Sequence, residues 1–506
     1  MLQAMGPAIL NSRAQLGIMA PPVTIEVLLS GGLPQFNIVG LAEAAVRESK
    51  DRVRGALISS GFSFPQERIT VSLGPADMKK TGGRFDLPIA LGILAASRLI
   101  PFESLDAYEF YGELGLNGEI RSIPGALPAA LKAKEAGRSL FVPIGNGPEA
   151  RLSSAEVFVA GTLLEITSHL NGCEPVTPEE RLRPRKGRAD SPDLREVKGQ
   201  QLAKRALEIA AAGGHNILFI GPPGAGKSML ARRLPGILPS MSEKEALETA
   251  AVDSILGRDI DLAEWRLRPF RSPHHTASAA ALVGGGPDPR PGEISRAHNG
   301  VLFLDELPEF NRHVLESLRE PMEAGCIAIS RVGRQADFPA RFQLVAAMNP
   351  CPCGYLGDSR GDCGCSADRV RNYRSKISGP LLDRIDIHMS VQRPPKESLR
   401  PGAASGESSR TVAARVRAAR NIQLKRAGLC NAQLEGDAVS ELCALTPKGW
   451  ELLERAMDSF GLSARAHQKV LKLARTIADL ANEESIVPRH VGEAIGLRQL
   501  DRNTAN

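Results

Sequence analysis

The stretch that decides the fold is HNILFIGPPGAGKSMLARRL, residues 215–234. Four apolar residues, Ile217 to Ile220, run directly into a glycine-rich segment made of Gly221, Pro222, Pro223, Gly224, Ala225, Gly226, Lys227 and Ser228. A strand, then such a loop, then a helix is the context of a phosphate-binding loop, in which backbone N–H groups and the helix dipole face the phosphates. We therefore predict that Lys227 contacts the β- and γ-phosphates of ATP and that Ser228 ligates Mg²⁺.

Two further strands predict the rest of an ATPase site. GVLFLDELPEF (300–310) contains a buried-strand pattern that ends at Asp305 and Glu306. We expect Asp305 to bind Mg²⁺, directly or through water, and Glu306 to polarise the attacking water. FQLVAAMNP (342–350) predicts a third strand, and Asn349 at its end could contact the γ-phosphate and orient that water.

Two arginines are candidates for stabilising charge in the transition state. Arg384 follows an apolar turn in GPLLDRIDI, and Arg465 begins a helix in LSARAHQ. One arginine from a neighbouring subunit and one from the chain's own helical domain would complete such a site. Taken alone, each would more often be a surface arginine, because arginine is abundant in this chain.

Length and composition predict several domains. A chain of 506 residues is too long to fold around one hydrophobic core. Its net charge of +6 neither favours nor excludes binding to nucleic acid. Polar segments rich in proline predict linkers at 174–194 and 393–409, which separate blocks 1–173, 195–392 and 410–506. The first two blocks mix strand and helix patterns, and the third predicts a small helical domain. No signal peptide or apolar run of about eighteen residues is visible, and scattered cysteines favour a reducing cytoplasm.

Residues 195–390 resemble the magnesium-chelatase-like branch of the AAA+ ATPases. The resemblance lies in GPPGAGKS, RPFRSPHHTASAAALVGGG, PRPGEISRAHNGVLFLDELPEF, PARFQLVAAMNPCPCG and GPLLDRIDI. With its flanking blocks, nearly the whole chain resembles the ComM (YifB) family, bacterial ring-forming ATPases associated with natural transformation. The resemblance implies a hexamer in which Asn349 is sensor 1, Arg384 the arginine finger and Arg465 sensor 2.

Two segments resemble the elements that such rings direct into their central pore. RSPHHTASAAALVGGG (271–286) is similar to a loop inserted into the second helix of this branch. CIAISRVGRQADFPARF (326–342) predicts a β-hairpin with Arg331 and Arg334 at its tip. These arginines are candidate DNA contacts, and a solvated turn is an equally good interpretation. For His274 and His275 we favour loop packing over a metal site, because no third ligand is evident.

The first block resembles the Lon protease-type domain, in YGELGLNGEIRSIPGALPAALKAKEAG (111–137) and PADMKKTGGRFDLPIALGILAAS (75–97). That class of protease needs a serine nucleophile and a lysine base. The match places Arg84 at the serine position and Leu127 near the lysine position. The resemblance therefore implies the fold without the protease activity.

Four cysteines, Cys351, Cys353, Cys363 and Cys365, are clustered directly after Asn349. Four thiolates are the number of ligands that tetrahedral Zn²⁺ prefers, although Cys-x-Cys is tighter than the usual spacing. Structural zinc, free or packing thiols, and a redox role all remain open. If a metal is bound, we expect it to stiffen this loop.

Together these features predict a multidomain α/β protein. We expect a Lon-protease-like α+β domain at 1–173, an AAA+ core at 195–392 and a helical lid at 410–506. The predicted function is a cytoplasmic, hexameric DNA motor that uses ATP and Mg²⁺, a helicase for branch migration on single-stranded or branched DNA, without a membrane partner. A chelatase-like remodelling chaperone is the alternative. An ATP-dependent protease is disfavoured by the absent Ser–Lys pair.

Overall fold

The structure, a computed structural model, describes residues 6–41, 43–182, 191–286, 289–331, 334–358, 361–395, 397, 400 and 406–498. The chain divides into two compact units. The first comprises Met1–Gly187, Leu247–Trp265 and Ser330–Phe338, and the second comprises Arg188–Ala246, Arg266–Ile329 and Pro339–Asn506. Within the described residues, no helix has the length and apolar character needed to cross a membrane.

The described residues from 6 to 182 contain both strands and helices. The strands are β1 (Ala8–Arg13), β2 (Pro22–Ser30), β3 (Gln35–Val39), β4 (Arg68–Gly74), β5 (Tyr108–Phe110), β6 (Glu113–Leu114), β7 (Ile120–Arg121), β8 (Ser139–Pro143) and β9 (Val157–Ala160). The helices are α1 (Ala44–Arg47), α2 (Ser49–Ser59), α3 (Asp86–Ala96), α4 (Ala126–Glu135), α5 (Gly147–Ala150) and α6 (Leu163–Leu170). Strands β3, β4, β2, β1, β5, β8 and β9 form one mixed sheet in that order.

Helix α3 packs against the strands β1 and β2 of the first unit. Its sequence is apolar around the whole helix and its residues from Asp86 to Ala95 are buried, as expected for a helix enclosed on all sides. Gly92 allows the close approach to the sheet, because a Cβ there would lie 2.5 Å from Val27 Cγ2. The buried carboxylate of Asp86 accepts a hydrogen bond of 2.6 Å from Arg52 Nε, so the polar end of the helix is also satisfied.

The second block contains the segment that was predicted as a strand, loop and helix, and a further helix precedes it. Its helices are α7 (Gln201–Gly213), α8 (Lys227–Ala231), α9 (Glu243–Ile255), α10 (Ala279–Val283), α11 (Glu293–Arg296), α12 (Arg312–Glu316), α13 (Arg319–Ala324), α14 (Ala367–Arg374) and α15 (Gly379–Leu382). Its strands are β10 (Ile217–Ile220), β11 (Phe270–Arg271), β12 (Gly284–Gly285), β13 (Arg290–Pro291), β14 (Val301–Leu304), β15 (Cys326–Arg331), β16 (Arg334–Pro339), β17 (Gln343–Met348) and β18 (Ile387–Ser390).

A parallel sheet positions the functional residues of the second unit. Its order is β11, β14, β17, β10, β18, with Leu304 opposite Ala346 and Ile220 opposite Met348. The carboxyl ends of β10, β14 and β17 therefore meet at one edge, where ligands bind in open α/β sheets. The three strands predicted around this edge are confirmed, and β15 pairs with β16 as the predicted hairpin.

The third block is helical, as predicted, with α16 (Ser409–Ala427), α17 (Asp437–Leu442), α18 (Pro447–Phe460), α19 (Ala464–Leu480) and α20 (Pro488–Gly496). Gly428 ends α16 at a φ of +69°, which glycine adopts without strain. Helices α17 and α18 were not predicted. The chain is thus a mixed α/β multidomain protein with a helical C-terminal region.

A buried ion pair connects α19 to the strand β18. Lys469 Nζ donates to the carboxylate of Asp386, and His215 Nδ1 lies 3.5 Å from the other carboxylate oxygen. Burial alone would raise the pKa of Asp386, but the charge of Lys469, together with the nearby His215 ring, outweighs it and holds the pKa well below its usual value. The carboxylate therefore stays ionised inside the protein.

Candidate nucleotide-binding site

The glycine-rich loop between β10 and α8 has the backbone geometry of a phosphate cradle. Gly224 and Gly226 have φ values of +75° and +91°, which side chains with a Cβ adopt only with strain. At Gly221, a Cβ would lie 2.0 Å from the carbonyl oxygen of Val391. The glycines are therefore required both for the turn and for the packing of the loop against the strand next to it.

Lys227 is largely buried inside this loop. Its Nζ donates to the carbonyl oxygens of Gly221 and Pro222, at 2.7 and 3.1 Å, and to Asn349 Oδ1 at 3.0 Å. Burial lowers the pKa of Lys227, while the carboxylates of Asp305 and Glu306 oppose that shift. An ammonium group that is held among oxygen acceptors at the mouth of such a loop fits the phosphate oxygens of a bound nucleotide.

Ser228 and Asp305 bring together the oxygen atoms that a magnesium ion requires. Ser228 Oγ donates to Asp305 Oδ2 at 2.5 Å, and Asp305 Oδ1 accepts from the backbone N–H of Glu306 at 3.0 Å. A hydroxyl and a carboxylate side by side, at the edge of a phosphate loop, are ligands that Mg²⁺ uses together with phosphate and water. These residues fit the predicted Mg²⁺ site.

Glu306 has a neighbour that the sequence analysis did not assign. Its backbone φ is +53°, a strained conformation for a residue other than glycine, and its side chain is 56 % exposed. Oε2 of Glu306 lies 3.2 Å from Nδ1 of His275, whose ring packs 4.2 Å from that of His274. The histidine pair follows β11 directly, and β11 is next to β14 in the sheet, so this contact depends on a strand order that the sequence does not reveal.

The contacts that the structure describes for the two candidate arginines are with residues other than Lys227, Ser228 and Asp305. Arg384 donates to the carbonyl oxygen of Pro380 at 2.6 Å and to the carboxylate of Glu323. Arg465 is 67 % exposed, and its Nη1 lies 3.9 Å from Asp383 Oδ2. Of the four predicted catalytic residues, the structure brings Glu306 and Asn349 to the loop.

Two residues outside the motifs hold the loop in place. Gln200, which precedes α7 with a φ of +54°, donates from Nε2 to the carbonyl oxygen of Ala225. Arg393 Nε donates to the carbonyl oxygen of Pro223 at 3.2 Å. No sequence signal identifies either residue, because each acts through a tertiary contact with a backbone oxygen.

The four clustered cysteines lie together immediately beside this site. Sγ of Cys351 is 3.4 Å from Cys353 and 3.7 Å from Cys363, and Cys353 and Cys363 are 3.6 Å apart. A hydrogen bond from the backbone N–H of Tyr355, with further ones from neighbouring thiols, lowers the pKa of Cys353 to about 6. The cluster therefore favours at least one thiolate near neutral pH.

Four predicted positions lie in other parts of the chain. The side chains of Arg331 and Arg334 lie outside the described residues, so their contacts are not part of the structure. In the first unit, Arg84 is buried and donates to Tyr111 OH and Gln15 Oε1, both at 2.8 Å. Leu127 is fully buried in an apolar cluster with Leu152 and other residues.

Comparison with known proteins gives the family. The chain is 49 % identical to "Competence protein ComM" of Haemophilus influenzae over 504 residues, and 48 % identical to "Uncharacterized protein YifB" of Salmonella typhimurium over 503 residues, with 98 % of each chain covered in both cases. The chain belongs to the ComM (YifB) family of magnesium-chelatase-like proteins. Relatives in this family also include "Uncharacterized protein YifB" of Escherichia coli, 47 % identical over 501 residues.

Three family models describe the parts of this ComM-type chain. "Magnesium chelatase, subunit ChlI" matches residues 193–399, "Subunit ChlI of Mg-chelatase" matches 25–146, and "Magnesium chelatase, subunit ChlI C-terminal" matches 406–498. Domains of this type belong to the AAA+ ATPases, which use ATP and Mg²⁺. The matches therefore support ATPase activity at the level of the family.

Proposed function

We propose that this protein is an ATP-driven DNA motor, a hexameric helicase that promotes branch migration when incoming DNA recombines during natural transformation. One observation carries the proposal. A candidate nucleotide site, in which Lys227 contacts Asn349 and Ser228 contacts Asp305, lies in a chain that is similar over 98 % of its length to a competence protein. We place its action in the cytoplasm, where clustered thiols stay reduced.

Each residue at the site has a separate role in the proposed hydrolysis. Lys227 and the loop backbone bind the phosphates, Ser228 and Asp305 hold Mg²⁺, and Mg²⁺ neutralises charge on the phosphate oxygens. Glu306, at the edge of the site, polarises the attacking water. Asn349 already contacts Lys227 at 3.0 Å, so it is placed to orient groups around the γ-phosphate.

We assign Arg384 and Arg465 to charge stabilisation. Arg384 is bonded to Glu323 and Pro380 rather than to the chain's own loop, which supports a role at a neighbouring subunit's nucleotide. Arg465 is exposed beside Asp383 and is free to reorient toward a bound nucleotide. When each subunit donates its arginine to the next subunit head to tail, the subunits can form a closed ring.

DNA contact is assigned to the hairpin formed by β15 and β16. Arg331 and Arg334 flank its turn in sequence, and arginines there would bind phosphates without regard to sequence. Replacing Arg331 by Ala should weaken DNA binding and reduce the slope of log K against log salt by roughly one. Arg455→Ala is the control, since its side chain is 77 % exposed on a different element, the helix α18.

The first unit would not act as a protease in this proposal. A serine protease of the Lon type needs a nucleophile and a base, and the corresponding positions hold Arg84 and Leu127. Both side chains are buried, Arg84 in hydrogen bonds with Tyr111 and Gln15, and Leu127 in apolar contacts. These contacts favour a structural role for a unit with a Lon-like fold.

A chelatase-like remodelling chaperone is the second candidate, because the matching family models carry the chelatase name. The match to "Magnesium-chelatase 67 kDa subunit" of Chlorobaculum parvum spans only 31 % of this chain at 28 % identity, whereas the competence protein matches throughout. This difference in coverage favours the DNA motor.

Migration of a synthetic Holliday junction tests the proposal. With ATP, the wild-type protein should convert the junction to duplex products by branch migration. Glu306→Gln should bind the junction without moving its branch point. ATP turnover should rise when DNA is added. If no form of DNA changes turnover and no salt-sensitive binding is detected, the motor is excluded and the chaperone becomes the better hypothesis.

A further inference from the structure

The cysteine cluster has the dimensions of a metal site. With Zn–S bonds of about 2.3 Å, the sulfur atoms of a tetrahedral site lie roughly 3.8 Å apart. The sulfur distances of 3.4, 3.6 and 3.7 Å among Cys351, Cys353 and Cys363 are close to that value, and the four ligand atoms including Cys365 all lie within 4.8 Å of one another. A disulfide would require about 2.0 Å.

A metal cross-link would constrain the segment that carries the cysteines. Its described residues between Cys351 and Cys365 contain neither helix nor strand, and only Cys351 among the four is buried. Backbone N–H groups of Tyr355 and Cys365 donate to the sulfur atoms of Cys353 and Cys363. Such outer hydrogen bonds orient thiolate ligands in metal sites.

The same segment touches the phosphate-binding loop. Gly354, between the first two cysteines and Tyr355, has a φ of +84°, and a Cβ added there would lie 2.7 Å from Cδ of Pro223. The backbone of the turn is thus in direct contact with a residue of the loop. That Cβ would also lie 3.8 Å from Cγ of Asn349, so the turn borders both the loop and the residue after β17.

Arg393 contacts both Pro223 and the cysteine segment. It donates to the carbonyl oxygen of Pro223 at 3.2 Å, its Nη2 lies 3.4 Å from Asp358 Oδ2, and its guanidinium lies 5.9 Å from the centre of the Tyr355 ring. Two residues of the cysteine segment therefore fix the arginine that supports Pro223.

We infer that Cys351, Cys353, Cys363 and Cys365 bind one structural Zn²⁺, and that the metal-bound turn holds Pro223 so that zinc occupancy sets the affinity of the loop for ATP. The ion performs no step of hydrolysis. It fixes the turn at Gly354 and the ring of Tyr355, and through them the position of the loop backbone. The part of this inference that concerns ATP rests on the proposed ATPase site, whereas the metal site stands without it.

Elemental analysis of the purified full-length protein tests the metal site. We expect about one zinc per chain, since one tetrahedral site takes four thiolates. Cys363→Ser should lose most of it, and Cys173→Ser, an exposed cysteine of the first unit, should retain it. Reconstitution with Co²⁺ should give the strong visible absorption of a tetrahedral thiolate site. Less than a tenth of an equivalent of zinc in reduced wild-type protein, or equal zinc in Cys363→Ser, would overturn the site.

Two glycine variants test the link to ATP without removing a ligand. Gly354→Ala introduces the collision with Pro223, whereas Gly357→Ala has the same kind of strain, at a φ of +77°, with nothing within 4 Å of the added Cβ. Both should keep zinc, and Gly354→Ala should weaken binding of a fluorescent ATP analogue roughly tenfold relative to Gly357→Ala. Equal affinities would refute the link but leave the metal site intact. A wild-type protein that binds zinc and no nucleotide would instead refute the proposed ATPase.

Discussion

Replacement of Arg384 by alanine separates a role in folding from a role in catalysis. The Arg384 guanidinium is held by Pro380 and by Glu323, a carboxylate whose side chain is 61 % exposed. An ion pair with so exposed a partner contributes about 0–1 kcal/mol, so Arg384→Ala should fold and bind ATP nearly as well as wild type. Loss of an arginine finger lowers turnover by about 10³-fold or more, which corresponds to roughly 4 kcal/mol in the barrier.

Glu323→Ala is the matched control, because it breaks the same ion pair and keeps the arginine. Its turnover, measured by phosphate release, should stay near that of wild type, while the nucleotide affinity of both variants stays unchanged. A drop of similar size in both variants would mean that the pair has a structural role. A wild-type rate for Arg384→Ala would refute the assignment of the arginine finger outright.

Mixing variants shows whether the arginine acts on a neighbouring subunit. Lys227→Ala disables the loop but keeps Arg384, and Arg384→Ala does the opposite. In a ring of independent head-to-tail interfaces, an equal mixture restores about one quarter of them, because each needs an intact loop and an intact arginine from different subunits. The recovered rate should follow the product of the two fractions. No recovery at any ratio would require an action within one chain.

Three further outcomes follow from contacts in the second unit. Glu306→Gln should retain ATP binding and lower turnover about 10²–10⁴-fold, as measured by titration and phosphate release; a wild-type rate would exclude it as the base. His275→Ala should lower kcat with little change in KM, and His275→Asn should restore part of it, because Nδ1 of His275 positions Glu306 at 3.2 Å; a change in KM alone would contradict this. Lys469→Met should cost about 3–5 kcal/mol at pH 7 in urea unfolding, since it leaves the buried Asp386 carboxylate without its lysine partner.

The contribution of the Asp386–Lys469 pair to the free energy of unfolding should depend on pH in a defined direction. The folded pKa of Asp386 lies below the unfolded value of about 3.9, so its contribution to stability is present above that value and is lost as pH falls toward the folded pKa. In Lys469→Met the remaining carboxylate becomes protonated more readily. The difference in unfolding free energy between wild type and variant should therefore shrink between pH 7 and pH 4. A difference that stays constant or grows would show that Lys469 acts through packing and not through charge.

Sequence patterns predicted the parts of the site that are encoded locally. The strand from Ile217 to Ile220, the strand from Val301 to Leu304 and the positive φ of Gly224 and Gly226 all follow from short-range rules on apolar runs and glycine. The helix that ends at Gly428 was predictable for the same reason. Such features need no knowledge of how distant segments meet.

Contacts between distant segments were not predictable from the same patterns. The approach of His275 to Glu306 requires β11 to lie beside β14, and a sequence does not state the order of strands in a sheet. Helices α17 and α18 were missed, although α18 has apolar residues at helical spacing, with Leu453 and Ala456 buried. The cysteine spacing suggested four ligands, but the sulfur distances and the contact of Gly354 with Pro223 became visible only in the fold.

The support of the phosphate-binding loop follows from the composition of that loop. Glycine and proline provide the turns that expose N–H groups, but they provide few side chains that could pack and hold the loop in one position. Its position must therefore be fixed by other segments, and here Gln200, Arg393 and Gly354 each contact it within the second unit. None of the three would touch the reacting atoms. Changes at these positions should alter nucleotide affinity before they alter the chemistry, whereas changes at Glu306 should do the reverse.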